Sequence, residues 1–319
     1  MAGVLVVAEV AEGALAPISH ELLGAARQLA DGGAGGVSAF VAGEAHASEL
    51  VAHGADAVYA GTAPALAAGV AAAFVPAVNA AIEGSGADIV LLGQTSLGRD
   101  LGPALAFANR TAVAMDCVNL ELQGGRLRAT RSAYGGNARA EHTWRSPLQI
   151  VTLKAKSYDG LPADAGRSGS TTTIDAVGAT AVKVTGRKKA EASGVRLEDA
   201  DVVVSGGRGL GDPEAFKMLE ELAGLLKGAT GASRAACDLG WYPPSQQVGL
   251  TGKTVSPSLY IAVAISGASQ HMAGMSGSKN IVAINKDPDC NMVQVSKYAI
   301  IEDYRKVVPA LIEAIKGLK

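Results

Sequence analysis

The chain has 319 residues, of which 48% are hydrophobic and 4% aromatic, and its formal net charge is −2. That length suggests two domains with ample apolar material for their cores. The near-neutral charge, the lack of a basic stripe and the scarcity of rings count against a nucleic-acid partner; small molecules or proteins fit better.

The N-terminal run Met-Ala-Gly-Val-Leu-Val-Val-Ala-Glu-Val has no basic segment and is expected to be a first strand, not a signal peptide. The Ala-rich run 63–82 comes nearest to a membrane span but carries Gly69, Pro76 and Asn79. No direct membrane insertion is expected, and a cytoplasmic protein is the default. Cys117, Cys237 and Cys290 are scattered and form no CxxC pair. They are expected to be buried or inert thiols in a reducing compartment, without a disulfide framework, zinc or iron–sulfur site.

Strands are expected at Val4–Val10, Val37–Val41, Ala57–Tyr59 and Ile89–Leu92, with helices near 17–31, 45–53, 66–83 and 97–109. This alternation predicts a parallel sheet covered on both faces. Residues 93–100, Gly-Gln-Thr-Ser-Leu-Gly-Arg-Asp, then form a strand-to-helix turn, the usual ligand position on such a sheet. Beyond 113, strands at Val113–Leu122, Arg126–Ser132 and Leu148–Lys154 are separated by Gln-Gly-Gly and Tyr-Gly-Gly-Asn turns and suggest an antiparallel annex. Segments 159–172 and 186–199, rich in Gly, Ser, Thr and charge, flank one expected strand at Ala179–Val184 and suggest an interdomain connection. The expected division is an N-terminal α/β domain over 1–185, a linker over 186–200 and a second domain over 201–319.

The alternation restarts with a strand at Asp201–Ser205, a glycine-rich turn, and a helix over 213–227 that Asp212 would cap and Pro213 would open. Buried strands follow at Leu259–Ser266 and Asn280–Asn285. A closing helix over 302–317 carries Val307, Val308, Leu311, Ile312 and Ile315 at amphipathic spacing. The expected fold class is therefore α/β, with two domains that are each a mainly parallel, Rossmann-like sheet flanked by helices.

The chemistry-bearing loops gather in this second half. Gly206-Gly-Arg-Gly-Leu-Gly stands between a strand and a helix, where small residues let a phosphate approach, although its spacing is neither the dinucleotide fingerprint nor a Walker loop. Arg208 is its candidate contact. Arg234 follows Ser233 amid small apolar residues; it meets an anion or a polar ring, or it is simply solvated or salt-bridged. Gln247–Lys253 offers Gly249, Thr251 and Gly252 at a turn, and Ser266–His271 opens a helix after an apolar strand. His20, His46, His53 and His142 are expected to form no HxxxH pair or His/Cys/carboxylate cluster, which counts against a catalytic metal. No nucleophile elbow, Cys/His couple or carboxylate pair stands out, so no catalytic residue is expected. The loops suit a bound group that reacts by itself.

In order, Val203-Val-Ser-Gly-Gly-Arg-Gly-Leu, Gly231-Ala-Ser-Arg-Ala-Ala, Gln247-Val-Gly-Leu-Thr-Gly-Lys, Leu259-Tyr-Ile-Ala-Val-Ala-Ile-Ser-Gly-Ala-Ser-Gln-His, Ile281-Val-Ala-Ile-Asn-Lys-Asp-Pro and Asp303-Tyr-Arg-Lys-Val-Val-Pro resemble the alpha subunit of electron-transfer flavoproteins. The likeness is dense from about 201 onward and looser before it. It implies a heterodimer with a beta subunit and one FAD, held mainly by the C-terminal domain. Single electrons would pass from acyl-CoA or other flavin dehydrogenases, as in fatty acid beta-oxidation, to a quinone oxidoreductase or another acceptor. By motif position it places Arg208, Ser233, Arg234, Val248, Gly249, Leu250, Thr251, Ser266, Gly267, Ala268, Ser269, Gln270, His271, Asn285 and Asp303 around FAD. The resemblance puts Arg234 over the flavin ring, Thr251 facing N5 and His271 near O2. Leu250 departs from the glutamine that the family often carries there. The alternative is a subunit of a bifurcating, NADH-oxidising complex with a second FAD in the beta subunit. A third possibility, an adenine-nucleotide hydrolase built on the first half, lacks a phosphate-binding signature after the first strand.

Overall fold

The computed structural model describes residues 3–134, 138–186 and 195–318. They fall into two compact units, one of 3–133 and 139–186 and one of 134, 138 and 195–318. Most of the expected linker and the Gly-Gly-Asn of the 134–137 turn lie outside the described residues.

The first unit runs β1 (Gly3–Val7), a short antiparallel hairpin of β2 (Val10–Ala11) and β3 (Ala14–Leu15), α1 (Pro17–Leu29), β4 (Gly36–Ala42), α2 (Ala47–Ala52) and β5 (Ala57–Gly61). It continues through α3 (Ala71–Ser85), β6 (Ile89–Gly93), α4 (Ser96–Ala108), β7 (Val113–Gln123), β8 (Arg126–Ala133), β9 (Ala138–His142), β10 (Gln149–Leu153) and β11 (Ser170–Ile174). The strands form one sheet in the order β11-β5-β4-β1-β6-β10-β7-β8-β9. From β11 to β7 all pairs are parallel, and β7 and β8 are antiparallel. Alternation along β1 sends Val4 and Val6 into one core with Leu22, Leu23 and Leu50, and Leu5 and Val7 into the other with Phe74 and Leu101. A parallel sheet covered on both faces reads as a near-continuous apolar run for this reason.

Four details differ from the expectations. β1 stops at Val7 because the chain turns back through Glu12 (φ 54°) and Gly13 (φ 86°) to enter α1. The 66–83 helix begins only at Ala71, since Gly69 (φ 67°) ends a preceding 3-10 turn. The third strand of the expected annex, β10, lies between β6 and β7 and runs parallel to both; its five residues are all buried. Ala179–Val184 is not a strand, whereas Ser-Thr-Thr-Thr-Ile at 170–174 is one, pairing with β5 over Ala57–Gly61. The side chains of the 93–100 turn bond within the unit: Thr95 accepts from the Gly98 N–H as N-cap of α4 and donates to Glu9 Oε1 at 2.6 Å.

Glu21, on α1, accepts from the Lys156 N–H at 2.5 Å, and burial pushes its carboxyl up to about 7 from an ordinary value of 4.5. The folded state thus holds this proton more tightly than the unfolded chain, so stability is lost as pH rises from 4.5 through 7. Glu21→Gln keeps an acceptor without the charge. It is expected to stabilise the protein at pH 8 by about 1–2 kcal/mol after allowance for partial solvent screening, with no gain at pH 4.5; denaturant titrations at both values check this.

The second unit runs β12 (Val202–Gly206), α5 (Ala215–Leu225), β13 (Ala229–Ala232), α6 (Arg234–Asp238), β14 (Leu259–Val263), α7 (Ser269–Met275), β15 (Ile281–Asn285), α8 (Asn291–Val295), β16 (Tyr298–Ile301) and α9 (Tyr304–Gly317). Its sheet is wholly parallel, in the order β13-β12-β14-β15-β16. Phe216 and Leu219 of α5 and Val308 and Ile312 of α9 cover one face; Met275 and Met292 pack on the other with Tyr260. Asp212 does cap the turn that leads into α5, accepting from the Glu214 N–H at 2.8 Å, but the helix starts two residues beyond Pro213. Residues 229–232, expected to be loop, form β13 through pairing with β12. All three cysteines are free and buried, and burial pushes the Cys117 thiol up to about 12. Among the described residues no helix is long and apolar enough to cross a membrane.

Candidate functional site

The strand order of the second unit reverses between β12 and β14, where doubly wound sheets open a crevice at the carboxyl ends of their strands. A cavity of about 650 Å³ occupies that position. Gly207 and Arg208 after β12, Ser233 and Arg234 after β13, Ala264–Ser266 after β14 and Asn285 at the end of β15 all line it. The 247–251 loop and Ala268, Gln270 and His271 close it. Thus all the expected site residues reach the wall except Gly267, Ser269 and Asp303.

Those three lie off the wall. Gly267 (φ 82°) lies so close to α8 that a Cβ would stand 2.3 Å from the Met292 nitrogen. Ser269 is the exposed first residue of α7. Asp303 caps α9 by accepting from the Arg305 N–H at 3.0 Å, and its other oxygen pairs with Lys286 Nζ at 2.8 Å. Lys286 and the Arg305 N–H hold the Asp303 carboxyl below its usual range.

The wall is built by close backbone approach. A Cβ on Gly207 would meet the Ala264 carbonyl at 2.2 Å, and one on Gly274 would meet the Gly249 nitrogen at 2.4 Å. Gly249 itself has φ 147°, where L side chains are strained. The 247–253 loop is pinned at both edges, with Val248 N–H donating to the Ala232 carbonyl at 2.9 Å and Leu250 N–H to the Gln270 carbonyl at 2.7 Å. Leu250 is therefore held by its backbone while the residue is 69% exposed.

Several polar groups are positioned by neighbours. Gln247 Nε2 donates to Thr251 Oγ1 at 3.1 Å, which leaves the threonine O–H for another acceptor. Asn285 Nδ2 donates to the Ile265 carbonyl at 2.9 Å and so ties the ends of β14 and β15 together. Arg234 pairs with Asp238 one turn later on α6, Nε to Oδ2 3.3 Å, and is 66% exposed. Of the two environments open to it from sequence, the solvated and salt-bridged one is present in the chain alone. Among the described residues Arg208 makes no ion pair. Lys253 is off the wall and pairs with Glu198.

His271 is buried on α7, with Nε2 2.9 Å from the Tyr260 hydroxyl and Nδ1 without a hydrogen-bond partner. Burial pushes its pKa down to about 4; the Val248 carbonyl opposes this but does not reach Nδ1 in normal hydrogen-bond geometry. The imidazole is neutral at pH 7. Burial also raises the Tyr260 phenol, which stays protonated. Where Tyr260 donates to Nε2, the ring proton sits on Nδ1, on the side of the Val248 carbonyl; where Nε2 carries the proton, it donates to Tyr260.

A histidine kept neutral by folding makes stability full above its unfolded value of 6.5 and lost progressively as pH falls to about 4. The full effect is about 3 kcal/mol. His271→Gln is expected to flatten the cofactor-free protein's stability profile between these limits, as measured by urea titration at stepped pH.

Sequence reasoning missed Ala264, Ile265, Ala235, Asp238, Asp287 and Cys290 on the wall. Only Asp238 carried a signal, four residues after Arg234 on a helical turn. Ala264 takes a left-handed φ of 53°, which nothing in its side chain announces.

The geometry agrees with the comparisons to known proteins. Residues 4–179 match the electron transfer flavoprotein domain, and residues 196–276 match the electron transfer flavoprotein FAD-binding domain. The chain belongs to the electron transfer flavoprotein alpha-subunit family. It is 42% identical to the electron transfer flavoprotein subunit alpha of Megasphaera elsdenii, covering 99% of this chain and 97% of that one. It is 40% identical to the protein of the same name from Thermoanaerobacterium thermosaccharolyticum, over 98% and 97% of the two chains. The Mycobacterium leprae protein of that name is 37% identical over the whole of both. The family's cofactor is FAD, and this chain carries the domain that binds it.

Proposed function

We propose that the cavity at the carboxyl ends of β12–β15 is the FAD site and that the chain, paired with an electron-transfer flavoprotein beta subunit, works as a single-electron carrier. The observation that carries this is one crevice at a topological switch point, within the family's FAD-binding domain, lined by the residues singled out from sequence. Its volume of about 650 Å³ suits a ligand of that class. Gly207, Gly249 and Gly274 stand where side chains would fill the cradle or displace its walls, and His271 Nδ1 is a buried polar atom left unpartnered.

FAD, when bound, supplies the redox chemistry. Arg208, with no ion pair among the described residues, serves the diphosphate together with Ser266 at the turn into α7. Thr251, with its hydroxyl held by Gln247, and His271, with a proton on Nδ1, donate to acceptors at the flavin ring. Arg234, paired with Asp238 in the chain alone, would supply positive charge to the bound cofactor. Electrons then come from acyl-CoA or other flavin dehydrogenases and leave to a quinone oxidoreductase or a similar acceptor, in the cytoplasm and without catalysis by a side chain. Nothing in the site favours the bifurcating alternative.

Co-expression of the chain with its beta subunit, followed by spectra during stepwise reduction, tests this. One FAD per heterodimer, reduced by a flavin dehydrogenase and reoxidised by an acceptor, is expected. A colourless complex that cannot be reconstituted with FAD overturns the proposal.

A further inference from the structure

Within the first unit, His20 meets two residues of a helix remote from it in sequence. His20 lies in the first turn of α1; Glu49 is on α2, and His53 is the residue that ends α2. Glu49 and His53 are four apart and share one helix face, which packing brings against His20. One ligating atom from each lies within 4.8 Å of the other two. Spacing along the chain gave no hint of this cluster.

The surrounding contacts are those of a metal site. His53 Nδ1 lies 2.8 Å from the Leu161 carbonyl, which can only accept. Its proton is therefore on Nδ1 and its lone pair on Nε2. Metal-ligating histidines are fixed by a partner on the other nitrogen in just this way. Glu49 Oε2 is 2.9 Å from His46 Nδ1, which orients the carboxylate and leaves Oε1 toward His20 Nε2 at 3.8 Å. The His20 ring meets the His53 ring edge-on with centroids 4.3 Å apart. His20 Nδ1 is buried without a partner among the described residues, and Nε2, 3.8 Å from Glu49 Oε1, is beyond hydrogen-bond distance of it.

We propose that His20, Glu49 and His53 bind one divalent ion of the zinc class, which staples α1 to α2. Two imidazoles and a carboxylate form a donor set that zinc accepts, with water completing the shell. Tetrahedral bonds of about 2.1 Å place ligand atoms about 3.4 Å apart, so the three groups need to close by up to about 1.4 Å, within reach of side-chain torsions. His46 is a positioning residue, acting through Glu49.

The test uses the tag-free full chain, stripped by chelator and titrated with zinc chloride alone in a calorimeter at pH 7.5. One equivalent with Kd of about 1 µM or tighter is expected. His53→Gln and Glu49→Gln are each expected to weaken it at least tenfold, and His46→Ala about tenfold, while circular dichroism of the metal-free variants stays unchanged. Zinc should also raise the Tm of the parent chain and not that of His53→Gln. If one variant fails to fold, the other decides. Absence of stoichiometric zinc uptake by the parent chain, or uptake that survives both substitutions, overturns the proposal.

Discussion

Arg234→Ala is expected to lower the midpoint potential of the bound flavin by about 40–90 mV. Reduction adds negative charge to the flavin ring, so a guanidinium beside it favours the reduced forms. One charge pair at ~4 Å and an effective dielectric of ~20 gives a ceiling of about 4 kcal/mol. Arg234 falls well short of that ceiling, because the side chain is 66% exposed and Asp238, also on the wall, opposes its charge. Solvent screening leaves about 1–2 kcal/mol, and at ~59 mV per tenfold for one electron this is the stated range. Asp238→Asn should move the potential the other way, since it removes the opposing charge and leaves Arg234 in place. A spectroscopic redox titration measures both. An unchanged potential in Arg234→Ala removes the arginine from its assigned role.

Gly274→Ala should weaken FAD binding by about 5- to 140-fold. Within a helix this substitution ordinarily adds about 1 kcal/mol of stability, because alanine is the better helix former. Here the new methyl would lie 2.4 Å from the Gly249 nitrogen and 2.5 Å from its Cα. Both are backbone atoms of the loop that carries Thr251, and Gly249 is already at φ 147°. The loop must therefore shift, and over-packing of this kind costs about 1–3 kcal/mol. Quenching of flavin fluorescence on titration gives the affinity. A variant of raised Tm and unaltered affinity would show that the 247–253 loop yields without consequence.

The lining of the cavity was legible because its residues occur where strands end. A run such as Leu259–Ile265 announces a buried parallel strand, and the Ser-Gly-Ala that follows marks a loop at its carboxyl end. Arg208, Arg234 and His271 were visible as polar residues in such loops, and the ordered motifs tied them to one family. What Arg234 and His271 meet was not legible. A sequence does not show that Asp238 faces Arg234, nor that Tyr260 lies beneath His271 and burial removes its charge. In the proposed function Arg234 therefore acts by its charge and His271, neutral, by hydrogen bonding.

Of the strands that escaped notice, two did so for a related reason. Ser170–Ile174 and Ala229–Ala232 have little apolar patterning and are made strands by their neighbours, β5 and β12. Ala179–Val184, with apolar alternation, has no such neighbour and is exposed. The His20, Glu49 and His53 cluster is the extreme case, because only the packing of α1 on α2 assembles it.

The most direct measurement of the central claim is the stoichiometry and affinity of FAD for the purified protein, taken in parallel for the parent chain and for Gly274→Ala. One FAD per chain in the parent, with markedly weaker binding in the variant, is the predicted result. Tight binding of one FAD that is indifferent to Gly274→Ala, Arg234→Ala and His271→Gln alike would place the cofactor elsewhere and contradict the account.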